Sequence, residues 1–465
     1  MPAKSATLAL DLGNSGQIEG VPANDSNTQS MKRIALCCWV ACCSLLVTAQ
    51  NYTTYFTGNM QDAVVAPQGG VCLMGGATED DNAMRWFLQR ASGGDVLVIR
   101  ASGSDGYNDY LYDELGVNVN SVETIVFNNA SASSEAYVLD RISKAEAIWI
   151  AGGNQYNYVN YWRGNQVANL INQGITQRNI VIGGTSAGMA ILGGAYFSAA
   201  NGTINSADAL SNPFDSRMTV DNTPFIRVPY LENVITDTHY DDPDRRGRHL
   251  SFLANAMTQY GGTFRGIACD EYTAVCIDES GIAKIYGTYP DFDDNAYFLV
   301  PNCGLSDNMP EVCTDNQPLT WDHSGTAVKV YAVKGTPTGL YTIDLNDWTT
   351  AEGGDWQDWS AIAGSFNAVT SDEPDCLASS TYAAADPIPF RIYPNPNDQG
   401  VVTIEAINPL ADGKVRVVDV DGRTLQDWTS LGPSSQLDVS NLPAGSYFLE
   451  YSSNGAFSVR RLLVR

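Results

Sequence analysis

Gly184-Thr-Ser-Ala-Gly188 stands between an apolar run, Asn179–Ile182, and a helix-forming Ala-Gly-Met-Ala-Ile stretch. The spacing fits G-x-S-x-G, a strained strand-to-helix turn that lifts a serine hydroxyl clear of both elements and leaves nearby amides free for an oxyanion. A serine hydroxyl needs a base to become nucleophilic. The chain offers three histidines. His239 follows the strand-like run Leu231–Thr236, where an imidazole would reach into the loops at a strand's carboxyl end. His249 follows Arg248 at an expected helix start and reads as a surface or capping residue, and His323 lies in a Trp-Asp-His-Ser-Gly turn away from the chemistry. A carboxylate must fix the imidazole tautomer. Asp208, Asp215, Asp221 and Glu232 lie between Ser186 and His239, and Asp237 precedes the histidine by two, so spacing leaves the choice open. No Cys and His spacing resembles a zinc site, and serine chemistry requires no metal or other cofactor, so none is expected.

The elements that must hold these residues begin near Gly69. Gly70–Gly75, a helix through Ala83–Ala91, then Val96–Ala101, Ala136–Ile142, Ala147–Ala151 and Asn179–Ile182 alternate short apolar runs with helical stretches. The alternation predicts an α/β domain with a mostly parallel sheet, whose chemistry sits beyond the carboxyl ends of the strands. After about Asp355 the texture turns to Gly, Asp, Ser and Thr, and Asp386-Pro-Ile-Pro marks a stiff break, so 356–387 reads as a linker. Beyond it, Val401–Glu405, Lys414–Val420, Ser446–Tyr451 and Phe457–Val464 alternate in and out, with Asp421-Gly422 and Asn454-Gly455 as turns, and predict a small β-sandwich.

With 26 Lys and Arg against 52 Asp and Glu, the formal net charge of −26 argues against nucleic acid as a partner. From Met31, Lys32 and Arg33 precede an apolar run, Ile34–Val47, and small residues near Ala49-Gln50, which reads as a secretory signal over 31–50 with 1–30 as a misassigned start or an extended leader. Export permits disulfides among Cys72, Cys269, Cys276, Cys303, Cys313 and Cys376. Cys303 with Cys313 flanks a loop that one could close, and Cys269 and Cys276 fall in a stretch suited to buried thiols.

Two resemblances extend this reading. Phe390-Arg-Ile-Tyr-Pro-Asn-Pro396, Val418-Asp-Val-Asp-Gly-Arg423, Leu442-Pro-Ala-Gly-Ser-Tyr447 and the basic end Arg460–Arg465 resemble the C-terminal sorting domain of type IX secretion cargo in Bacteroidetes, over 388–465. This implies a secreted or cell-surface protein, delivered by the type IX machinery. Ile148-Trp-Ile-Ala-Gly-Gly-Asn-Gln155, Gly184–Gly188, Asp237-Thr-His-Tyr240 with Arg245 and Arg248, and Phe264–Glu271 follow one another as in the cyanophycinase and α-aspartyl dipeptidase family of serine peptidases.

That second resemblance implies a flavodoxin-like sheet, akin to class I glutamine amidotransferase domains, over 51–355. It also implies acyl transfer from an aspartyl amide to Ser186 with His239 as base. The family's acid, in a short acidic segment before Asn-Pro, matches Asp208 in Asn205-Ser-Ala-Asp-Ala-Leu-Ser-Asn-Pro213. Gly153, Asn154 and Ala187 then supply oxyanion amides, and Gln155, Asp237, Arg245 and Arg248 meet the substrate, an aspartyl peptide and foremost cyanophycin, the β-aspartyl-arginine polymer. The acidic loops at Asp241-Asp242 and Asp291–Asp294 would suit its arginines. A homodimer is a further expectation. Two other readings are a secreted esterase, which leaves the Ala-Gly-Gly-Asn-Gln loop and the arginines after His239 without a role, and a non-catalytic surface-binding protein, which retention of Ser186 and His239 disfavours.

Overall fold

The computed structural model describes residues 50–376 and, farther along, 390–395, 397–406, 414–419, 423–430, 434–453 and 456–465. The expected leader, the signal segment up to Ala49 and the two turns Asp421-Gly422 and Asn454-Gly455 lie outside the described residues.

The first half of the chain alternates strands with helices, in the order β1 (Tyr52–Gly58), β2 (Gly70–Met74), α1 (Asp81–Arg90), β3 (Asp95–Arg100), β4 (Ser121–Phe127), α2 (Ala136–Lys144), β5 (Ala147–Ile150), α3 (Gln155–Trp162), α4 (Gln166–Gln173), β6 (Val181–Thr185) and α5 (Ala187–Ala190). Runs such as Asp-Val-Leu-Val-Ile-Arg in β3 are buried along nearly their whole length, as strands covered on both faces require. Capping carboxamides and carboxylates start the helices: Asp80 accepts from the amides of Asn82 and Ala83 at α1, and Asn154 from that of Tyr156 at α3.

A short hairpin, β7 (Tyr196–Phe197) with β8 (Val220–Asp221), brackets α6 (Ser206–Ser211), and β9 (Val234–Asp237), α7 (Arg246–Tyr260) and β10 (Arg265–Cys269) follow. The remaining strands of this part are β11 (Ala274–Ile277), β12 (Ile282–Tyr286), β13 (Asn295–Pro301), β14 (Val328–Lys334), β15 (Thr342–Asp344), β16 (Ala351–Glu352), β17 (Asp355–Ile362) and β18 (Ser365–Thr370).

They form a ten-stranded sheet in the order β1-β4-β3-β5-β6-β2-β11-β12-β15-β16, parallel from β4 to β2, and a six-stranded sheet in the order β18-β17-β14-β13-β10-β9. In the second sheet only β9 and β10 run parallel. Leu73, Ile182 and Val275 of the first sheet share one buried core with Ile267, Phe298 and Val333 of the second, while α7 covers the second sheet's other face through Leu250, Leu253 and Ala256. The fold class is therefore α/β with a mostly parallel central sheet, as the alternation predicts.

Two expectations need correction. The stretch expected as a linker begins as β17 and β18, which extend the six-stranded sheet through pairing with β14. Asp355-Trp-Gln-Asp-Trp-Ser-Ala-Ile sets Trp359 and Ala361 into the core, and its other face buries Ser360 and Asp358, the latter paired with Lys329, so that polar residues at buried positions hide the strand. Nor does Cys303 join Cys313. It pairs with Cys376 at a Cα separation of 5.0 Å, whereas Cys313, like Cys72, Cys269 and Cys276, is a buried free thiol. The bond closes a loop of 73 residues. By chain entropy, Cys303→Ser should lower the unfolding free energy by about 4 kcal/mol, read as a shift of the urea midpoint.

The C-terminal part consists of β19 (Phe390–Tyr393), β20 (Val401–Ala406), β21 (Lys414–Val418), β22 (Thr424–Ser430), β23 (Ser434–Asp438), β24 (Gly445–Ser453) and β25 (Ala456–Val464). Sheets β19-β20-β23 and β22-β21-β24-β25 share a core in which Val402, Ile404 and Leu437 meet Val415, Val417, Leu449 and Leu462. This is the small all-β sandwich that the alternation of the tail predicts.

Candidate active site

Ser186 follows the last residue of β6 and takes φ 52° and ψ −116°, a conformation that costs an L-residue on the order of 1–3 kcal/mol and marks a site where the chain is held under strain. The elbow tolerates no larger neighbour, since a Cβ on Gly188 would strike the carbonyl of Ile150 in β5. The amide of Ser186 donates to the carbonyl of Met74 at the end of β2, which ties the elbow to the next strand (3.1 Å).

His239 lies two residues beyond β9, also with positive φ (46°), and its amide donates to the carbonyl of Gly75 (2.9 Å). Its Nε2 is 2.9 Å from Ser186 Oγ, and its Nδ1 is 2.5 Å from Oε1 of Glu271, two residues beyond β10. Since a carboxylate only accepts, Nδ1 carries the proton and Nε2 is left free to accept from the serine. Gly76 borders the ring, and any side chain there would overlap the imidazole. Serine, histidine and carboxylate thus all stand just past the carboxyl ends of parallel strands.

The acid in contact with His239 is Glu271, not Asp208. Asp208 lies in the first turn of α6, 42% exposed, where its carboxylate takes a 3.0 Å ion pair from Arg217. The other carboxylates weighed for this place are engaged elsewhere or open to solvent: Asp215 pairs with Arg217, Asp221 with Arg163 and Asp237 with Arg248, while Glu232 is exposed. Glu271 closes the segment Phe264–Glu271, and its position after a strand-like run was the available signal. It lies outside the stretch between serine and histidine because the chain order is serine, histidine, acid.

A cavity of about 230 Å³ opens beside Ser186 and His239, lined by Gly153, Gln155, Ala187, Asp237, Arg245 and Arg248 among others. Asn154 is outside the lining and spends its side chain capping α3. Gln155 Nε2 donates to the Phe197 carbonyl (3.5 Å). Arg248 is committed. Its guanidinium grips Asp237 through both Nε (2.8 Å) and Nη2, and both side chains are 5% exposed. Burial alone would raise the Asp237 carboxyl, but Arg248, aided by the Arg245 charge, holds it below the usual range. Among the described residues Arg245 has no hydrogen-bonded carboxylate: Nη1 donates to the Thr238 carbonyl (2.8 Å), and Nε is buried with no acceptor. Burial, and then the neighbouring Arg248, lower its pKa against the opposing charges of Asp237, Glu271 and Asp241. Among the described residues no cluster of His, Cys, Asp and Glu could hold a metal.

Comparison with known proteins falls on the same residues. Residues 104–285, which contain Ser186, His239 and Glu271, match Peptidase family S51. This part of the chain is similar to that peptidase family. Residues 391–465 match the Secretion system C-terminal sorting domain. Cyanophycinases of Synechococcus elongatus and Thermosynechococcus vestitus are each 23% identical over 228 residues, which make up 47% of this chain and 66%, just under two thirds, of theirs. A solved peptidase from an acI-B1 Actinobacterium superposes with a TM-score of 0.37 at 14% identity, covering 48% of this chain and 89% of its own.

Proposed function

We propose that this protein is an exported serine peptidase that cleaves aspartyl peptide bonds, with cyanophycin as its substrate, and that the C-terminal sandwich directs it to the cell surface or medium through type IX secretion. The observation that carries the reading is the continuous relay from Ser186 Oγ through His239 to Glu271 beside a cavity holding an uncommitted guanidinium.

In this mechanism His239 Nε2 takes the Oγ proton as Ser186 attacks the carbonyl carbon, and the oxyanion meets the amides of Gly153 and Ala187. The imidazolium, steadied by Glu271, then protonates the departing amine. Water repeats the sequence on the acyl-enzyme and restores the serine. Arg245 receives the acidic group of the aspartyl residue, whose carboxylate would supply an acceptor for its buried Nε. Asp241, Asp293 and Asp294 gather with Glu271 closely enough to repel one another and suit a basic group nearby, with Tyr272, next to Glu271, stacked on Phe292 at 6.4 Å.

The test is release of β-aspartyl-arginine dipeptide from purified cyanophycin by the full chain, next to Ser186→Ala, with a fluorophosphonate probe on both. Release and labelling by the wild type only are expected. Labelling without release would move the substrate to other aspartyl peptides, and a wild-type Ser186 that neither labels nor cleaves would overturn the enzyme reading.

A further inference from the structure

His249 and Tyr240 have no part in the relay, yet they are built into it from behind. Against the expectation of a surface or capping residue, His249 is wholly buried, in the first turn of α7. Its Nε2 is 3.0 Å from the carbonyl of Ile235 in β9, which can only accept, so Nε2 bears the proton. Nδ1 is therefore an acceptor, and it lies 3.1 Å from the hydroxyl of Tyr240, which must be the donor. One arrangement of protons satisfies all these groups. Burial lowers the His249 pKa to about 4, so this neutral form persists across the range in which His239 has to work.

Tyr240 follows His239 directly. Its ring, 1% exposed, packs against Tyr297 with centroids 5.0 Å apart and edge-on against His249 at 5.6 Å. The backbone closes the same unit: the amide of Arg245 donates to the Tyr240 carbonyl and that of His249 to the Arg245 carbonyl, each at 3.0 Å. Gly266 in β10 leaves the room that the His249 ring occupies. The segment between β9 and α7, which carries His239 at one end and Arg245 at the other, is therefore pinned to strand, helix and second sheet through one side chain.

We propose that Tyr240 and His249 are positioning residues, a hydrogen-bonded latch that holds His239 in its left-handed backbone conformation with Nε2 on Ser186 and Nδ1 on Glu271. The inference rests on the serine relay proposed above. A residue with positive φ is held only by what surrounds it. Loss of the latch should let the imidazole drift, and a misplacement of about 1 Å can lower a rate by about 10²-fold.

The experiment compares Tyr240→Phe, His249→Gln and His249→Asn in the full chain. Glutamine reaches the Nε2 position and keeps the bond to Ile235 while losing the acceptor for Tyr240. Asparagine reaches the Nδ1 position and keeps that acceptor. The readouts are the rate of Ser186 labelling by a fluorophosphonate, the melting temperature and the low-field proton resonance of the His239–Glu271 hydrogen bond, which needs neither substrate nor reaction. We expect labelling to slow about 10- to 100-fold in Tyr240→Phe and His249→Gln, with the resonance broadened, and to return to within a few-fold of wild type in His249→Asn. The latch is overturned if Tyr240→Phe labels at the wild-type rate with its resonance intact, or if all three variants slow only in step with lost melting temperature. Should wild-type Ser186 resist labelling, the peptidase reading fails, and the resonance alone decides whether the latch holds His239.

Discussion

Glu271→Gln should lower kcat by about 10⁴-fold while leaving KM and the melting temperature near their wild-type values, and Asp208→Ala should change neither constant by more than about twofold. A glutamine in place of Glu271 fits the same space, but its amide nitrogen can donate to Nδ1. The imidazole then takes the other tautomer, with its proton on Nε2 facing Ser186 Oγ, and no acceptor remains for the serine proton. Ser186→Ala, which removes the attacking atom itself, should fall further, by about 10⁶-fold. Asp208 is a sensitive control because its segment, ahead of Asn212-Pro213, was matched to the family's acid, whereas its carboxylate is spent on Arg217 at a solvent-open helix start. Steady-state kinetics on the three variants with one aspartyl substrate make the comparison, and a loss of activity in Asp208→Ala equal to that in Glu271→Gln would refute the assignment.

That pairing shows what the sequence could and could not disclose. Gly184–Gly188 points to Ser186 as the candidate nucleophile because a strained elbow demands small residues at fixed spacing, a local requirement written into five consecutive positions. His239 stands out among three histidines by its place after a strand. Glu271 meets it only because β9 and β10 lie side by side and parallel, so that residues 32 apart in sequence project from adjacent strand ends. Such adjacency is a property of the sheet and leaves no local trace. The parallel half of the first sheet is readable from buried apolar runs, whereas β17 is not, because Asp358 and Ser360 are buried beside Trp359 and Ala361 and break the apolar pattern, Asp358 being paired with Lys329. The fate of His249 followed the same logic. Lying next to arginines on a helix start, it resembled a surface residue, and only the tertiary fold sets the carbonyl of Ile235 and the hydroxyl of Tyr240 against its two nitrogens.

The two arginines of the pocket should separate into opposite phenotypes. Arg245→Gln is expected to reduce kcat/KM by about 10²- to 10³-fold toward an aspartyl substrate with little loss of stability, because the guanidinium faces the cavity with no hydrogen-bonded carboxylate among the described residues, and the buried Asp237 keeps Arg248 as its partner. The same variant should lose its preference for the acidic residue over an uncharged isostere. Arg248→Gln should instead destabilise the fold by about 3–5 kcal/mol, since it strips the partner from Asp237, a carboxylate at the end of β9 that is buried from water. The sign with pH follows from the lowered native pKa of Asp237: the pair contributes fully above the unfolded value near 3.9 and is lost as pH falls through the native one. Urea titrations between pH 3 and 7 should therefore show wild type losing stability on acidification more steeply than Arg248→Gln, in which the buried carboxylate gains by accepting a proton. Equal losses of kcat/KM without destabilisation in both variants would mean that Arg248 leaves Asp237 to bind substrate, and the division of labour drawn here would be wrong.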